Sequence, residues 1–448
     1  MQSPEDARKI VEKLVERGIA AGATAADAYY TGDRSSSVQV RLGALEDVSR
    51  SEGEDISLRL FSGQRSATAS SSDLSEEALG VLVERCFAMA REAPEDPYSG
   101  LAPDRLLARG DLPFIDAEDR REPDPAELRE RALTAEQAAL GVAGVTNSSG
   151  AGASASATTI ALATSGGFAG AYRITGHASS ASVIAGESGA MQRDHWWHSA
   201  RHLEDLEAAD VIGRRAGERA VARLNPSRPK PGKYPVLFDP RVAASLLGHF
   251  ASAISGSAVA AKTSFLRNKL HERIFAEGVA IIDDPLRPRG LRSKPFDGEG
   301  LRVSRRDLIV DGVLESWIAD SASARQLGID PTGHAARMAG GAPTTAPTNV
   351  YMMAGSRTRE ELLGAFPQAV LVTELIGQGV NAVTGDYSRG AAGFVVRNGE
   401  IAEAVAEITI ASNLMDMYAT LVPGSDLEFR YGTDSPTLLI PEMTVGAA

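Results

Sequence analysis

A cluster of histidines offers the first candidate chemistry in this sequence. His195, His198 and His202 lie in the segment HWWHSARH. His198 and His202 are four residues apart, so on a helix their imidazoles would face the same way and could share a metal ion. However, residues 189–199 resemble the end of a strand, and no carboxylate lies between the histidines as in the HExxH motif of metallopeptidases. The cluster leaves open a stand-alone, metal-dependent hydrolase.

A glycine-rich segment, GQGVNAVTGDYSRGAAG at residues 377–393, is a second candidate. Glycine at this density predicts positive φ angles or very close approach by other atoms. A flexible linker would lack the interspersed Asp386, Tyr387 and Arg389, so we expect a specified loop between two strands. Asp386, Ser388 and Arg389 could converge on a ligand, but a turn in which Asp and Ser cap backbone N–H groups is the favoured interpretation.

The segment FDGEG, residues 296–300, places two carboxylates between glycines. Asp297 and Glu299 could bind a cation, although an acidic turn is the commoner outcome for this pattern. The sequence contains no dinucleotide-binding, P-loop, GxSxG or EF-hand pattern.

Composition excludes several classes of function. The 448 residues carry a formal net charge of −13, which disfavours binding to nucleic-acid phosphates. The single cysteine, Cys86, lies at helical spacing among apolar residues, so we expect a buried side chain and neither a disulfide framework nor a cysteine-rich zinc site. We find no apolar signal segment and no run of membrane-spanning length, and we therefore expect a cytoplasmic protein without membrane contact.

The N-terminal part predicts helices packed on an antiparallel sheet. Ser3 and Pro4 mark the start of a first helix, and further helices are predicted at 75–91, 127–142 and 208–224. Alternating residues predict strands at 37–42 and 55–60. Residues 144–189 are rich in small side chains but carry apolar residues at strand spacing, which predicts an antiparallel meander. Residues 94–125, with six prolines, are predicted to be a long surface connection.

The segment NPSRPKPGK, residues 225–233, is the best domain boundary in the chain. It separates a predicted N-terminal α+β domain (1–224) from a strand-rich C-terminal domain (234–448). The second domain is predicted to contain helices at 240–255 and 358–366, strands at 234–238 and 369–375, and two hairpins. The hairpins turn at Asp311-Gly312 and Asn398-Gly399. The predicted fold class is α+β, with two domains.

Several of these motifs, in this order, resemble the TldD/PmbA family. The similarity lies in GVNAVTGDYSRGAAGFVVRNGEI with EITIASNL, in MQRDHWWHSARHLEDL, in SFLRNKL and in KPFDGEG, and it covers nearly the whole chain. In the catalytic TldD branch, a helix early in the C-terminal half carries HExxxH, which binds zinc. The matching stretch here, LLGHFASAISG, keeps His249 but has Phe250 in place of the glutamate and no second histidine, and no cysteine follows Cys86.

The resemblance therefore implies the PmbA/TldE branch, a catalytically inactive subunit without a metal or cofactor of its own. Its partner would be a TldD-like zinc metalloprotease subunit, and the substrates would be unfolded or flexible peptides. Strand edges in 144–189 could engage such a peptide by β-addition. A homodimeric peptide-binding module is an alternative, and the isolated chain could self-associate. Candidates for facing the cavity or the partner are His249, Ser264, Asp297, Asn381, Asp386, Tyr387, Ser388 and Arg389.

Overall fold

The N-terminal half is built on one antiparallel sheet with strand order β3-β2-β1-β4-β5-β6. A computed structural model describes residues 1–187, 189–338 and 340–447 of the chain. The meander predicted for 144–189 is confirmed, and its two long strands are the fourth and fifth strands of this sheet. The strands are β1 (Ala25–Arg41), β2 (Ala44–Ser62), β3 (Arg65–Ser71), β4 (Val145–Thr164), β5 (Phe168–Ala185) and β6 (Gln192–Ala200).

Helices cover this sheet in two pairs. The first begins as predicted, with the Ser3 hydroxyl accepting a hydrogen bond from the Asp6 N–H, and the third begins with a capping box formed by Asp124 and Glu127. The first pair packs on the sheet around Tyr30, and the second pair packs around Val38 of the same strand. The helices are α1 (Pro4–Ala20), α2 (Glu76–Glu92), α3 (Pro125–Leu140) and α4 (Ala209–Ala222).

Most strand edges in 144–189, for which peptide binding is predicted, are paired within the chain. Strand β4 is paired with β1 along 151–164 and with β5 on its other side. Strand β5 is paired with β6 along 177–185, and the long 94–125 connection packs near its first half, with Ala117 O accepting from Thr175 N. Residues 168–174 of β5 have no strand partner on the β6 side, so β-addition to the meander stays a prediction for that stretch.

The C-terminal half contains a ring of strands. Strand order is β16-β15-β14-β7-β19-β17, and β19 also pairs with β16, so the main strands close on themselves. A second sheet has the order β10-β9-β8-β13-β18. The strands are β7 (Gly232–Phe238), β8 (Ile281–Asp283), β9 (Arg306–Val310), β10 (Val313–Leu314), β11 (Ala335–Ala336), β12 (Thr344–Thr345), β13 (Val350–Met352), β14 (Gln368–Ile376), β15 (Asp386–Arg397), β16 (Glu400–Asn413), β17 (Val422–Pro423), β18 (Thr433–Asp434) and β19 (Leu438–Ala447).

Short helices pack on these sheets around a large apolar core that includes Phe238, Phe250 and Tyr418. Both predicted hairpins are confirmed: β9 and β10 turn at Asp311-Gly312, and β15 and β16 turn at Asn398-Gly399. The whole is an α+β fold, as the sequence predicts. The helices are α5 (Pro240–Ala253), α6 (Gly256–Ala260), α7 (Ser321–Leu327), α8 (Arg359–Leu363) and α9 (Leu414–Thr420).

The proline-rich segments 94–125 and 225–233 both contact the C-terminal half of the chain. In the 94–125 connection, Ala108 N donates to Gly300 O at 2.9 Å. In the 225–233 segment, Ser227 N donates to Ala404 O at 2.7 Å, and the Arg228 side chain pairs with Glu407. Within the described residues, none of the helices combines the length and apolar character needed to cross a membrane.

Candidate functional site

Helix α5 carries His249 to the edge of the C-terminal core. Asp239 caps the helix by accepting a hydrogen bond from the Arg241 N–H, and Pro240 occupies its first turn. The buried side of α5 includes Leu246 and Phe250, whereas His249 is half-buried beside β15. Its ring meets the Tyr387 ring edge-on, with centroids 6.3 Å apart. The helix therefore places an imidazole against the first residues of β15.

Strand β15 separates the residues that the sequence groups together. Asp386–Arg389 belongs to a strand, so the turn predicted there is wrong, and so is the convergence of Asp386, Ser388 and Arg389 on one ligand. Successive side chains of a strand point to opposite faces. Tyr387 is buried in the core with α5, and Arg389 follows on the same face, while Asp386 and Ser388 are exposed on the other. The Asp386 carboxylate accepts hydrogen bonds from Thr384 and Asn413.

The turn lies just before this strand. Gly379 O accepts a hydrogen bond from Ser388 N at 2.7 Å, and Asn381 N donates to Asp386 O at 2.9 Å, so residues 377–386 fold back as a narrow hairpin. Gly385 has a φ of +79°, and a side chain at Gly379 would collide with the Ser388 carbonyl. The expectation of a specified, glycine-dependent loop is thus confirmed. Its Ala382 carbonyl accepts from Phe265 N at 2.9 Å, which fixes the loop near α5.

Three polar atoms of this region are closed to solvent and make no well-aligned hydrogen bond within the described part of the chain: His249 Nε2, Tyr387 Oη and Arg389 Nε. Burial lowers the pKa of His249, and the Arg389 charge lowers it further. Burial likewise raises the pKa of Tyr387, and the charge and the side chain of the adjacent Arg389 oppose this rise. At neutral pH the imidazole is therefore neutral and the phenol is protonated. Buried polar groups are normally hydrogen-bonded, so these three side chains are the candidate polar groups on this face of β15.

A cavity of about 330 Å³ lies beside His249, and its lining includes neither Tyr387 nor Arg389. Its wall is formed by α5, by the residues after α6 and by the 377–386 hairpin. Most of the lining is apolar, and polar groups are few, which is the usual make-up of a small-ligand site. The lining residues include His249, Ala253, Phe265, Gln378, Val380 and Leu414.

Two other candidates have structural roles. Ser264 is buried; its hydroxyl donates to Ala253 O at 2.6 Å and accepts from Leu266 N at 2.9 Å. The Asp297 carboxylate accepts from the backbone N–H groups of Glu299, Leu301 and Ala335. Cation binding by Asp297 and Glu299 is therefore the wrong interpretation of FDGEG, and the acidic turn is correct.

The three clustered histidines also make structural contacts. The predicted strand is confirmed as β6, so His195 and His198 point to opposite faces. His195 stacks on Trp197, the His198 Nδ1 accepts a hydrogen bond from Glu207 N at 3.0 Å, and His202 Nε2 lies 3.0 Å from Asp116 O. Across the residues that the structure describes, no group of three or more His, Cys, Asp or Glu side chains could hold a metal ion.

Comparison with known proteins places this architecture among metallopeptidases. Sequence profiles of the PmbA/TldA metallopeptidase match the chain as domain 1 at residues 26–90, the central domain at 118–224 and the C-terminal domain at 231–447. The chain is 38% identical to Metalloprotease PmbA of Escherichia coli O157:H7, over 98% of this chain and 97% of that protein. The chain therefore belongs to the PmbA/TldD family.

Solved structures share the fold over the whole length. A Bacteroides thetaiotaomicron protein, named as a modulator of DNA gyrase, superposes with a TM-score of 0.91 at 25% identity and is covered completely, as is this chain. TldE from Thermococcus kodakarensis gives a TM-score of 0.88 at 19% identity, covering 98% of this chain and 100% of that one. The site residues thus lie on a scaffold common to distant relatives.

Proposed function

We propose that this chain is the non-catalytic, TldE-type subunit of a cytoplasmic peptide-degrading or peptide-processing complex. Its partner is a TldD-type subunit that carries the zinc ion. The chain completes and supports the cavity in which unfolded or flexible peptides are cut. His249, Asn381, Asp386, Tyr387, Ser388 and Arg389 are the residues proposed to face that cavity or the partner, and Ser264 and Asp297 support them from within the fold.

The composition of α5 carries this proposal. His249 is followed by Phe250, which is fully buried against Phe275 and Tyr418, and by Ala253. A catalytic zinc centre takes three protein ligands and a group that activates water, and one imidazole on this helix does not fit it. Cys86, the one cysteine of the sequence, is on the buried face of α2, in a different half of the molecule. No zinc chemistry is therefore assigned to this chain.

The two-domain division, 1–224 and 234–448, remains part of the proposal. It is supported by the change of sheet at 225–233, since β6 and α4 belong to the N-terminal sheet and its cover, while β7 lies in the C-terminal ring. The 225–233 segment then acts as a connection that is pinned to β16 through Ser227 and Val405.

The deciding experiment is native mass spectrometry of the tagged chain isolated from its own host. We expect a complex with a second chain of similar size, and zinc that is released only together with that second chain. A species of this chain alone that carries a metal ion would refute the proposal and favour a hydrolase of its own. A mass of twice the chain, without a second protein, would favour the homodimeric peptide-binding module instead.

A further inference from the structure

We propose that an open groove along helix α5 binds an extended peptide, and that Arg292 at one end of this groove pairs with a carboxylate of the peptide. The carboxylate is that of the C-terminus or of a Glu or Asp side chain. That the peptide is a substrate rests on the proposed function. The groove itself rests on two adjoining cavities and on the residues that line them.

The first step is the continuity of the groove. The cavity of about 330 Å³ beside His249 shares Ser252 and Ala258 with a second cavity of about 540 Å³, so the two adjoin along α5. Ser252 is exposed and Ala258 is half-buried, so the junction is open to solvent. We call the two cavities together the α5 groove. Adjoining cavities suit an extended chain, because its successive residues follow one line.

The second step is Gly248, an exposed residue of α5 that lines the larger cavity. Its φ angle is not positive, and a Cβ atom at this position would meet nothing within 4 Å. Neither backbone conformation nor packing among the described residues therefore requires glycine here, although glycine weakens a helix relative to alanine. The missing side chain allows another main chain to approach the helix closely.

The third step is the chemistry of the lining. The exposed Ser257 hydroxyl and the exposed Gln378 amide can both donate and accept hydrogen bonds, as the main chain of a peptide requires. Phe265, Val380 and Leu414 give the smaller cavity an apolar wall. The α5 groove therefore offers polar groups to a main chain and an apolar cavity to one of its side chains.

The fourth step is the charge of Arg292. Its exposed side chain lines the larger cavity, and among the described residues that line either cavity it alone carries a formal charge. The ion pairs formed by the described residues include Arg289, which binds Asp116 and Glu204, but not Arg292. In a chain with a net charge of −13, a groove whose lining carries one cation and no carboxylate favours an anionic group of the ligand.

Three octapeptides, each with a neutral fluorophore on the N-terminus, test this with the full-length chain by fluorescence anisotropy. They share a sequence of serine, alanine and leucine, and end in glutamine with a free carboxylate, in glutamate amide, or in glutamine amide. We expect at least one of the two carboxylate peptides to bind about fivefold more tightly than glutamine amide, as one contact with an exposed arginine implies. The tighter of the two identifies the source of the carboxylate. Equal binding of all three, or binding of none, would overturn the proposal.

A pair of arginine variants locates the charge effect. Arg292→Gln should abolish the preference for a carboxylate. Arg305→Gln removes the same charge from an exposed side chain that pairs with Asp307 and lines neither cavity, so it should leave the preference unchanged. A preference that survives Arg292→Gln, or that both variants lose equally, would contradict the assignment to Arg292.

A pair of glycine variants locates the groove. Gly248→Leu places a side chain in the larger cavity and should weaken all three peptides at least fivefold without lowering Tm, because the site has space and leucine favours helix. Gly80→Leu, in α2 and equally free of neighbours, should bind the peptides as the wild type does. Wild-type binding by Gly248→Leu would overturn the groove, and the arginine pair decides the proposal if this variant proves unstable.

Assembly is measured separately, by native mass spectrometry of the same variants with the zinc-bearing subunit. A chain that assembles but shows no carboxylate preference refutes the α5 groove as a peptide site and leaves the proposed function intact. A chain that binds the carboxylate peptides but never assembles refutes the proposed function and leaves the peptide site intact. Failure of Gly248→Leu alone to assemble, together with loss of peptide binding in the assembled wild type, would assign the groove to a segment of the partner and overturn the proposal.

Discussion

Glu207 and Arg430 join the two halves of the molecule through a two-pronged ion pair. Arg430 Nη1 lies 3.0 Å from Glu207 Oε1, and Nη2 lies 2.9 Å from Oε2. Trp196 adds a third hydrogen bond, from its indole nitrogen to Oε2 at 3.0 Å, and its ring lies 5.0 Å from the guanidinium carbon. The segment HWWHSARH, for which a metal site is one interpretation, thus contributes Trp196 to a contact between the N-terminal and C-terminal halves.

This ion pair predicts a pH dependence of stability. Burial alone would raise the pKa of Glu207, but hydrogen bonds from Arg430 and Trp196 outweigh it and hold the pKa at about 2, against an ordinary value of 4.5. A depressed carboxyl pKa stabilises the fold fully above 4.5, and this contribution is lost as pH falls towards 2. Glu207→Gln should lower the free energy of unfolding by about 2 kcal/mol at pH 7.

Urea denaturation at several pH values checks this prediction. The difference between wild type and Glu207→Gln should shrink as the pH falls from 5 to 2.5. Glu403→Gln serves as the control, because its partner Arg397 is on the surface and exposed pairs contribute little. A difference that stays constant over the whole pH range would show that the ionised form of Glu207 has no special role.

Gly213 on α4 and Gly80 on α2 should respond in opposite ways to substitution by alanine, because only Gly213 lies close against a neighbouring helix. A Cβ atom on Gly213 of α4 would collide with the Ala135 carbonyl of α3, whereas a Cβ atom on Gly80 of α2 would meet nothing within 4 Å. Gly213→Ala should therefore destabilise the protein by about 1–3 kcal/mol through overpacking. Gly80→Ala should stabilise it by up to about 1 kcal/mol, because alanine favours helix. Thermal unfolding of both variants gives the comparison, and a stable Gly213→Ala would mean that the helices can move apart.

The buried carboxyl of Glu299 predicts stability that falls with rising pH. Burial and then the neighbouring Asp297 raise the pKa of Glu299 above its ordinary 4.5. A carboxyl with a raised pKa keeps its proton in the folded state, so its contribution declines as pH rises above 4.5 towards neutrality. Glu299→Gln should remove this slope and be relatively more stable at pH 7.5 than at pH 5, as measured by chemical denaturation. Parallel pH profiles for the two proteins would exclude Glu299 as the source.

The contacts of the three clustered histidines predict structural effects without any effect on metal content. His195→Ala should change stability little, because the ring is half-exposed. His202→Ala should cost about 1 kcal/mol, since it removes the contact with Asp116 O. Zinc content of the purified complex, measured by elemental analysis, should equal that of wild type in both variants. A parallel loss of zinc and activity would instead support a metal site at these histidines.

Local signals in the sequence predict the elements well because they act within a few residues. Ser3 before Pro4, Thr358 with Glu361, and the Asn-Gly pair at 398–399 each fix an end or a turn by themselves. The alternating pattern predicts strands that are too short where polar residues dominate. Strand β1 extends over Ala25–Arg41, well beyond the apolar alternation at 37–42. Pairing with β2 and β4 holds this polar stretch in the sheet, and no local pattern reports it.

The candidate site could be predicted only in part for the same reason. His249, Tyr387 and Arg389 are singled out by their sequence context, but 138 residues separate the first two, and nothing along the chain shows that they meet. Asp386 and Arg389 are close in sequence. They are three residues apart on a strand, however, so their side chains lie on opposite faces. The missed residues, such as Phe265 and Leu414, line the cavity only because distant loops converge.

The contacts that residues 94–125 and 225–233 make with the C-terminal half affect the order in which the structure can form during synthesis. During synthesis the N-terminal sheet can form early, but Ala108 has to wait for Gly300, and Ser227 has to wait for Ala404, before their backbone bonds exist. An emerging chain therefore cannot make these two bonds until residues 300 and 404 have left the ribosome, although Ala117 can already bond to Thr175 within the N-terminal half. Completion of the native structure is thus tied to the last quarter of translation, and a truncated product would be left with loose ends that cellular proteases readily cut.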